Sequence, residues 1–135
     1  MHNTDDLGKL LLRTTLGTML LLHGIAKVMG GVPPGIMTRV VEHGWPFWIT
    51  YGVYIGEVLA PALIILGVLT RVGGLIIAIH MVVAIYLAHL PQLTEFTSAG
   101  GWRLALQGMY LSGGLCVALL GAGRFSLGGA RGRFN

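Results

Sequence analysis

The sequence predicts an all-α fold, an integral membrane bundle of four transmembrane helices that forms a single domain over residues 1–135, with N and C termini cytoplasmic. Three observations predict it. Of the 135 residues, 54% are hydrophobic and only 10% are charged, against roughly a quarter charged in an ordinary soluble domain. The mean hydropathy is +0.77. Four apolar runs are each long enough to cross about 30 Å of hydrocarbon as helices.

The first run spans about 10–28. No small-residue cleavage site follows it, so it is expected to remain in place as a transmembrane helix. The second spans about 51–69 and the third about 72–90. Little more than Thr70-Arg71 lies between them, and so short a link forces an antiparallel hairpin. The connection from the first run to the second carries "GGVPPG", a short amphipathic stretch near 36–43 and the aromatic "GWPFWITY". The fourth run spans about 104–122.

Gly52, Gly56 and Ala60 recur four apart on the second run, and Gly108, Ser112 and Cys116 on the fourth. Small residues at that spacing let helix backbones approach closely and would permit a homodimer. Pro61 is expected to kink the second helix, because it has no amide proton and clashes with the preceding turn. Cys116 is the only cysteine. An intramolecular disulfide relay is therefore excluded, and Cys116 is expected to pack as a small apolar residue.

Four spans put both ends of the chain on one side. Lys9, Arg13, Arg71, Arg124, Arg131 and Arg133 fall there, and Lys27, Arg39 and Arg103 on the other. The excess favours cytoplasmic termini. Trp45, Phe47, Trp48, Tyr51 and Trp102 mark the opposite interface. The net charge of +4 comes without a basic run or basic–aromatic alternation, so no nucleic-acid partner is expected.

The informative residues are the polar ones inside apolar runs. At about 1.5 Å per residue, His23, Lys27, Glu57, Gln107 and Tyr110 fall in one outer half-layer, with His80 near mid-depth. A lone carboxylate in lipid costs roughly 2.5–3.5 kcal/mol, so Glu57 is expected to face inward and to have a partner. Lys27 and His23, four residues apart on one helix face, are the nearest candidates by depth. Arg13 lies on a similar face but deeper, and either pairs with Glu57 or turns to the cytoplasm. Each group also has a plain structural role open to it. Lys27 is long enough to snorkel to the interface. His80 could bond a backbone carbonyl. Gln107 and Tyr110 could be ordinary interhelical hydrogen-bonders. His89 reads as interfacial, His43 as a loop residue and His2 as disordered. A zinc site lacks the cysteines and the spacing.

"LLRTTLGTMLLLHGIAKVMG" resembles the opening helix of the DoxX family of small bacterial membrane proteins, with an Arg near the start, then Gly, then His-Gly and Lys. "GEVLAPALIILGVLTRVGGLIIAIHM" is similar to that family's second and third helices, opened by a Glu and turned by a Leu-Gly…Thr-Arg stretch. The fourth run fits by hydropathy and position. The resemblance implies a four-helix bundle in the bacterial inner (cytoplasmic) membrane and a link to redox metabolism. Some relatives serve as a subunit of a thiosulfate:quinone oxidoreductase, others in oxidative-stress or thiol systems. Carried over by position, Arg13, His23, Gly24, Lys27 and Glu57 are the motif residues.

These readings converge on a polar cluster of His23, Lys27, Glu57, Tyr110, Gln107, His80 and Arg13 that receives a quinone or a similar lipid-soluble ligand. His23 would donate to a carbonyl, Lys27 would stabilise negative charge and Glu57 would relay protons. The alternatives are a non-enzymatic anchor for a redox partner protein and a small lipid or solute transporter. Axial ligation of haem by His23 and His80 is a lesser reading.

Overall fold

A computed structural model describes residues 2–129 and 131–135 of the chain. The side chain of His2, expected to be disordered, lies outside the described residues. The architecture is all-helical. Beyond one isolated antiparallel bridge between Phe96 and Trp102, there is no β-structure among the described residues. Five helices follow in order: α1 (His2–Gly30), α2 (Pro34–Glu42), α3 (Phe47–Leu66), α4 (Thr70–Gln92) and α5 (Ala105–Leu120).

Two of these, α3 at 20 residues and α4 at 23, are long and apolar enough to cross a membrane. α1 meets that standard only together with α2, from which it is bent by 96°. α5 is apolar but has 16 residues, about 24 Å of helix. α1 begins well before the apolar run that marks it in the sequence, and in its added turns Asp6 accepts a hydrogen bond from the Arg124 amide at 3.1 Å. That contact also brings the start of α1 and the tail after α5 to the same end of the bundle. α2 is the amphipathic helix expected near 36–43. Pro34 opens it, and His43 follows its last residue in a turn.

The α3–α4 hairpin turns one helical step earlier than the sequence suggests. Gly67 ends α3 in the left-handed region at φ 72°, Leu69 follows at φ 49°, and Thr70 and Arg71 already belong to α4. Glycine at this position is the ordinary helix terminator, since a Cβ is disfavoured there.

Neither α3 nor α4 is α-helical throughout. α3 starts as a 3₁₀ turn (Phe47–Tyr51) and contains a π-helical turn at Ile55–Leu59. α4 carries a second π-helical turn at Ile85–His89. Each π turn ends two residues before a proline, Pro61 and Pro91. A proline withholds one amide from the ladder, and one-turn π segments are a known way for a helix to absorb such a defect. The kink expected at Pro61 therefore takes the form of a widened turn preceding it.

The core joins Leu16 and Leu20 of α1, Ala60 and Ile64 of α3, Ile77 and Met81 of α4, and Tyr110 and Val117 of α5. α4 and α5 cross closely through glycines on both helices. A Cβ on Gly74 would stand 2.7 Å from the Gly114 carbonyl oxygen, and one on Gly114 would stand 2.9 Å from that of Gly74. The small residues expected to serve this purpose on α5 do otherwise. Ser112 and Cys116 are exposed, and Ser112 bonds its own helix at Gly108. Cys116 is thus not the packing residue the sequence suggests; the adjacent glycine face makes the contact.

Candidate functional site

At one end of the bundle the polar groups serve helix termini. The last carbonyls of a helix have no partner within it, and cations there also favour the helix dipole. Arg13, 2% exposed, reaches across from α1. Its Nη1 donates to the Ile64 carbonyl at 2.8 Å and also to Ile65, at the end of α3. Its Nε donates to the Ala122 carbonyl at 3.2 Å and its Nη2 to that of Phe125, beyond α5. Arg71 does the same for α5, donating from Nη1 to Leu119 at 2.7 Å and Ala118 at 3.1 Å. Asn135 seals the start of α4, its Oδ1 accepting from the Thr70 hydroxyl at 2.8 Å.

At the other end the polar groups surround a void. Glu57, on the π turn of α3, is 8% exposed. One carboxylate oxygen accepts from Lys27 Nζ of α1. The other accepts from His80 Nε2 of α4 at 3.1 Å. Two glycines make this possible. A Cβ on Gly24 would run into the Glu57 carbonyl oxygen, so only glycine lets α1 lie against the π turn and bring Lys27 alongside. A Cβ on Gly56 would collide with the His80 ring, so glycine makes the seat in which the imidazole reaches Glu57. Tyr54 ties down the end of α1 by donating to the Lys27 carbonyl at 3.1 Å.

The triad lies on the wall of a cavity of about 520 Å³. Aliphatic side chains of α1, α2, α3 and α4, among them Leu20, Val40, Val53 and Met81, form most of its surface. The polar lining comes from His23, Lys27, Glu57, His80, Gln107 and Tyr110, with His89, Arg39 and Thr50. Both π turns contribute to it, and π segments of this kind recur where a helix is shaped for function. α2 closes one side. Its Arg39 donates to the Ala88 carbonyl of the second π turn at 2.7 Å, and beyond it Trp45 stacks on Tyr86 with ring centroids 6.0 Å apart. Within this volume a ring-sized organic molecule fits.

Six of the seven residues singled out in the sequence therefore share one cavity. Arg13 is separated from them and occupied by carbonyls. Within the group the pairing differs from expectation. Lys27 does not snorkel, and Glu57 takes His80 rather than His23 as its second partner. His23 instead places Nδ1 3.0 Å from the Met19 carbonyl of its own helix and sets its ring edge-on to Tyr110, with centroids 6.1 Å apart. His80 bonds a carboxylate and not a backbone carbonyl. Its Nε2, one of the two nitrogens a haem would use, is committed to Glu57. Gln107 approaches His89 Nε2 at 3.5 Å, and His89 Nδ1 lies 3.0 Å from Gln92 Oε1. Arg39, Tyr54 and Thr50 were missed. Thr50 is 1% exposed and its hydroxyl has no hydrogen-bond partner among the described residues.

A family model described as DoxX matches residues 8–90 of the chain. The chain belongs to the DoxX family. The matched stretch takes in Arg13, Gly24, Lys27, Glu57 and His80, whereas Gln107 and Tyr110 lie beyond it. Over 85 residues this DoxX protein is 28% identical to "Putative oxidoreductase CatD" of Bacillus subtilis (strain 168), a match covering 63% of this chain and 62% of that protein. It thus spans less than two thirds of that relative's length. No solved structure matches it. DoxX is a membrane family, and with the apolar α3 and α4 this places the protein in a membrane.

Proposed function

We propose that this DoxX protein is a redox-associated bacterial inner-membrane protein that binds a quinone or a similar lipid-soluble ligand in the cavity beside Glu57. In this reading the chain is a single four-span bundle with both termini in the cytoplasm. α1, α3, α4 and a slightly short α5 are the spans, and α2 lies along the outer interface. The basic residues of the tail, with Lys9 and Arg71, favour that orientation, and a short α5 is accommodated by local thinning of the bilayer.

The observation that carries the reading is the placement of a hydrogen-bonded triad of ionisable side chains on the wall of an otherwise apolar cavity of ring-sized volume. A carboxylate in an apolar bundle is costly. Here it stands at the edge of a void rather than inside close-packed side chains. An apolar pocket with a few convergent polar groups is the usual form of a small-molecule site. The name of the B. subtilis relative agrees with a redox role. The deciding experiment is mass spectrometry of the organic extract from gently purified protein, beside Glu57→Gln. Wild type is expected to retain a quinone or related lipid that the variant loses. An extract holding only bulk phospholipid in both would sink the proposal.

One observation favours a second reading, an anchor for a redox partner protein. Glu57 already has both oxygens partnered, as a purely structural ion cluster would. That reading predicts a partner captured by crosslinking in native membranes, and Glu57 substitutions that lower stability without changing the extract.

A further inference from the structure

The tail after α5 holds a second set of charges, and the fold gives them no task. Residues 121–135 fold back over the α3–α4 hairpin. The Leu127 and Gly128 amides donate to the Leu66 and Gly67 carbonyls at 3.1 and 2.9 Å, and the Arg71 amide donates to the Phe134 carbonyl at 3.1 Å. Asn135 joins this loop to α4, since its Nδ2 donates to the Gly129 carbonyl while its Oδ1 accepts from Thr70. The tail is therefore fixed at the level where two apolar helices end. Its outer face exposes Arg124, Phe125, Leu127, Arg131, Arg133 and Phe134. Helix-end carbonyls do not explain these arginines, because Arg13 and Arg71 already serve those of α3 and α5. Arg124 engages Asp6 through its backbone amide. Among the described residues, the guanidinium groups of Arg124 and Arg131 have no hydrogen-bond or ion-pair partner. Arg133 lies over the Phe134 ring, 5.6 Å from its centroid. Arg124 and Arg131 instead line an open depression of about 360 Å³ with Gly128 and Gly129. At Gly129 a Cβ would meet nothing within 4 Å, so the space above the loop is clear.

We infer that this depression is a headgroup site for an anionic phospholipid, whose phosphate is held between Arg124 and Arg131. Two kinds of chemistry on the tail point to a lipid. A guanidinium forks onto two phosphate oxygens at once, and two uncommitted guanidiniums line the same depression. Phe125, Leu127 and Phe134 expose apolar surface that water disfavours and the boundary between headgroups and acyl chains accepts. Leu127, the most exposed of the three at 78%, lies between the two arginines in sequence. Basic side chains at a membrane surface favour an anionic headgroup over a zwitterionic one. The role goes beyond the weight these charges carry for orientation, because it needs this pair on this loop and not their number alone. The depression shares no lining residue with the cavity beside Glu57, and the inference does not depend on what binds there.

The test uses the full chain in detergent and native mass spectrometry, with dioctanoyl phosphatidylglycerol, dioctanoyl phosphatidylcholine and inorganic phosphate as probes. Wild type is expected to bind the phosphatidylglycerol about tenfold more tightly than the phosphatidylcholine. That is somewhat under the full worth of two basic side chains at an anionic surface, because phosphatidylcholine also carries a phosphate. Replacing both arginines, Arg124→Gln with Arg131→Gln, should bring the two lipids within about twofold of each other. Arg103→Gln, which removes a cation at the opposite end of the bundle, should keep the preference. Inorganic phosphate at the concentration of the lipid should displace neither. Equal binding of the two lipids by wild type overturns the inference without recourse to any variant. A preference that survives the double substitution overturns it as well. So does one that Arg103→Gln removes equally, which would make net charge the cause. Displacement by inorganic phosphate would overturn it in favour of a site for free anions.

Discussion

The two ends of this bundle handle buried charge in opposite ways. Around Arg13 the guanidinium is wrapped by carbonyls from the ends of α3 and of the segment after α5, and no space remains. Around Glu57 the polar groups are also paired, but pairing leaves Lys27, Glu57 and His80 on the wall of a cavity. The first arrangement uses a cation to satisfy backbone groups that every helix end leaves over. The second spends desolvation on groups that the fold alone does not require, since an apolar cluster of similar volume would pack as stably. The Glu57 cluster thus borders a void, whereas Arg13 is closed in by carbonyls.

The largest expected effect lies at the packed end. Arg13→Met removes the donors of several buried carbonyls at once. Each unsatisfied buried group costs about 1–3 kcal/mol, so a loss of at least about 3 kcal/mol is expected. Thermal or denaturant unfolding in detergent reads it. Glu57→Gln, which keeps an oxygen for Lys27, should cost less stability than Arg13→Met while abolishing ligand retention. Intact stability with an emptied cavity in Arg13→Met would show instead that the packed end serves the ligand.

Gly24 and Gly56 set the cluster end apart from the packed end at the level of single methyl groups. Both sit against the Glu57 turn, but what a methyl would meet differs. At Gly24 the obstacle is backbone, the Glu57 carbonyl. Gly24→Ala must push α1 away from α3, and overpacking of this kind costs about 1–3 kcal/mol. It should also part Lys27 from Glu57. At Gly56 the obstacle is the His80 side chain, which can swing aside. Gly56→Ala should cost less than Gly24→Ala in the same unfolding assay, yet free His80 from Glu57, seen as a changed His80 resonance in NMR. Equal losses from both would mean that the π turn is rigid on both faces.

Much of this was legible in the sequence because membrane energetics make polar residues conspicuous. Glu57 had to face inward and find a cation, and Lys27 met it. The pairing with His80 was legible too, since Glu57 and His80 lie nearly equally far from the hairpin turn on either side. Placing that turn at Thr70-Arg71 instead of Gly67–Leu69 shifts α4 against α3 and hides the match. Arg13 was opaque for a different reason. Its partners are backbone carbonyls at the ends of other helices, and orphan carbonyls leave no side-chain mark. The π turns carried one trace, the prolines that follow them, but a proline alone does not say whether a helix bends, breaks or widens. The cavity itself is a property of five elements together and has no local signature.

The smallest expected effect concerns the stripe Gly108, Ser112 and Cys116, which the sequence offered as a packing face and the fold leaves uncovered. Trp102 lies over Gly108, and Ser112 and Cys116 are exposed. A serine there would turn its hydroxyl back to the carbonyl one turn before, as Ser112 already does. Cys116→Ser should therefore change stability by no more than about 0.5 kcal/mol, as for a surface substitution remote from any cap or core. The measurement is best made in nanodiscs and at two protein-to-lipid ratios. A loss above about 1 kcal/mol that appears only at the higher protein density would mean that the face is covered after all, by a second copy of the chain. The small residues would then serve an interface between protomers, and the distinction between packed and open regions would have to be drawn on the dimer.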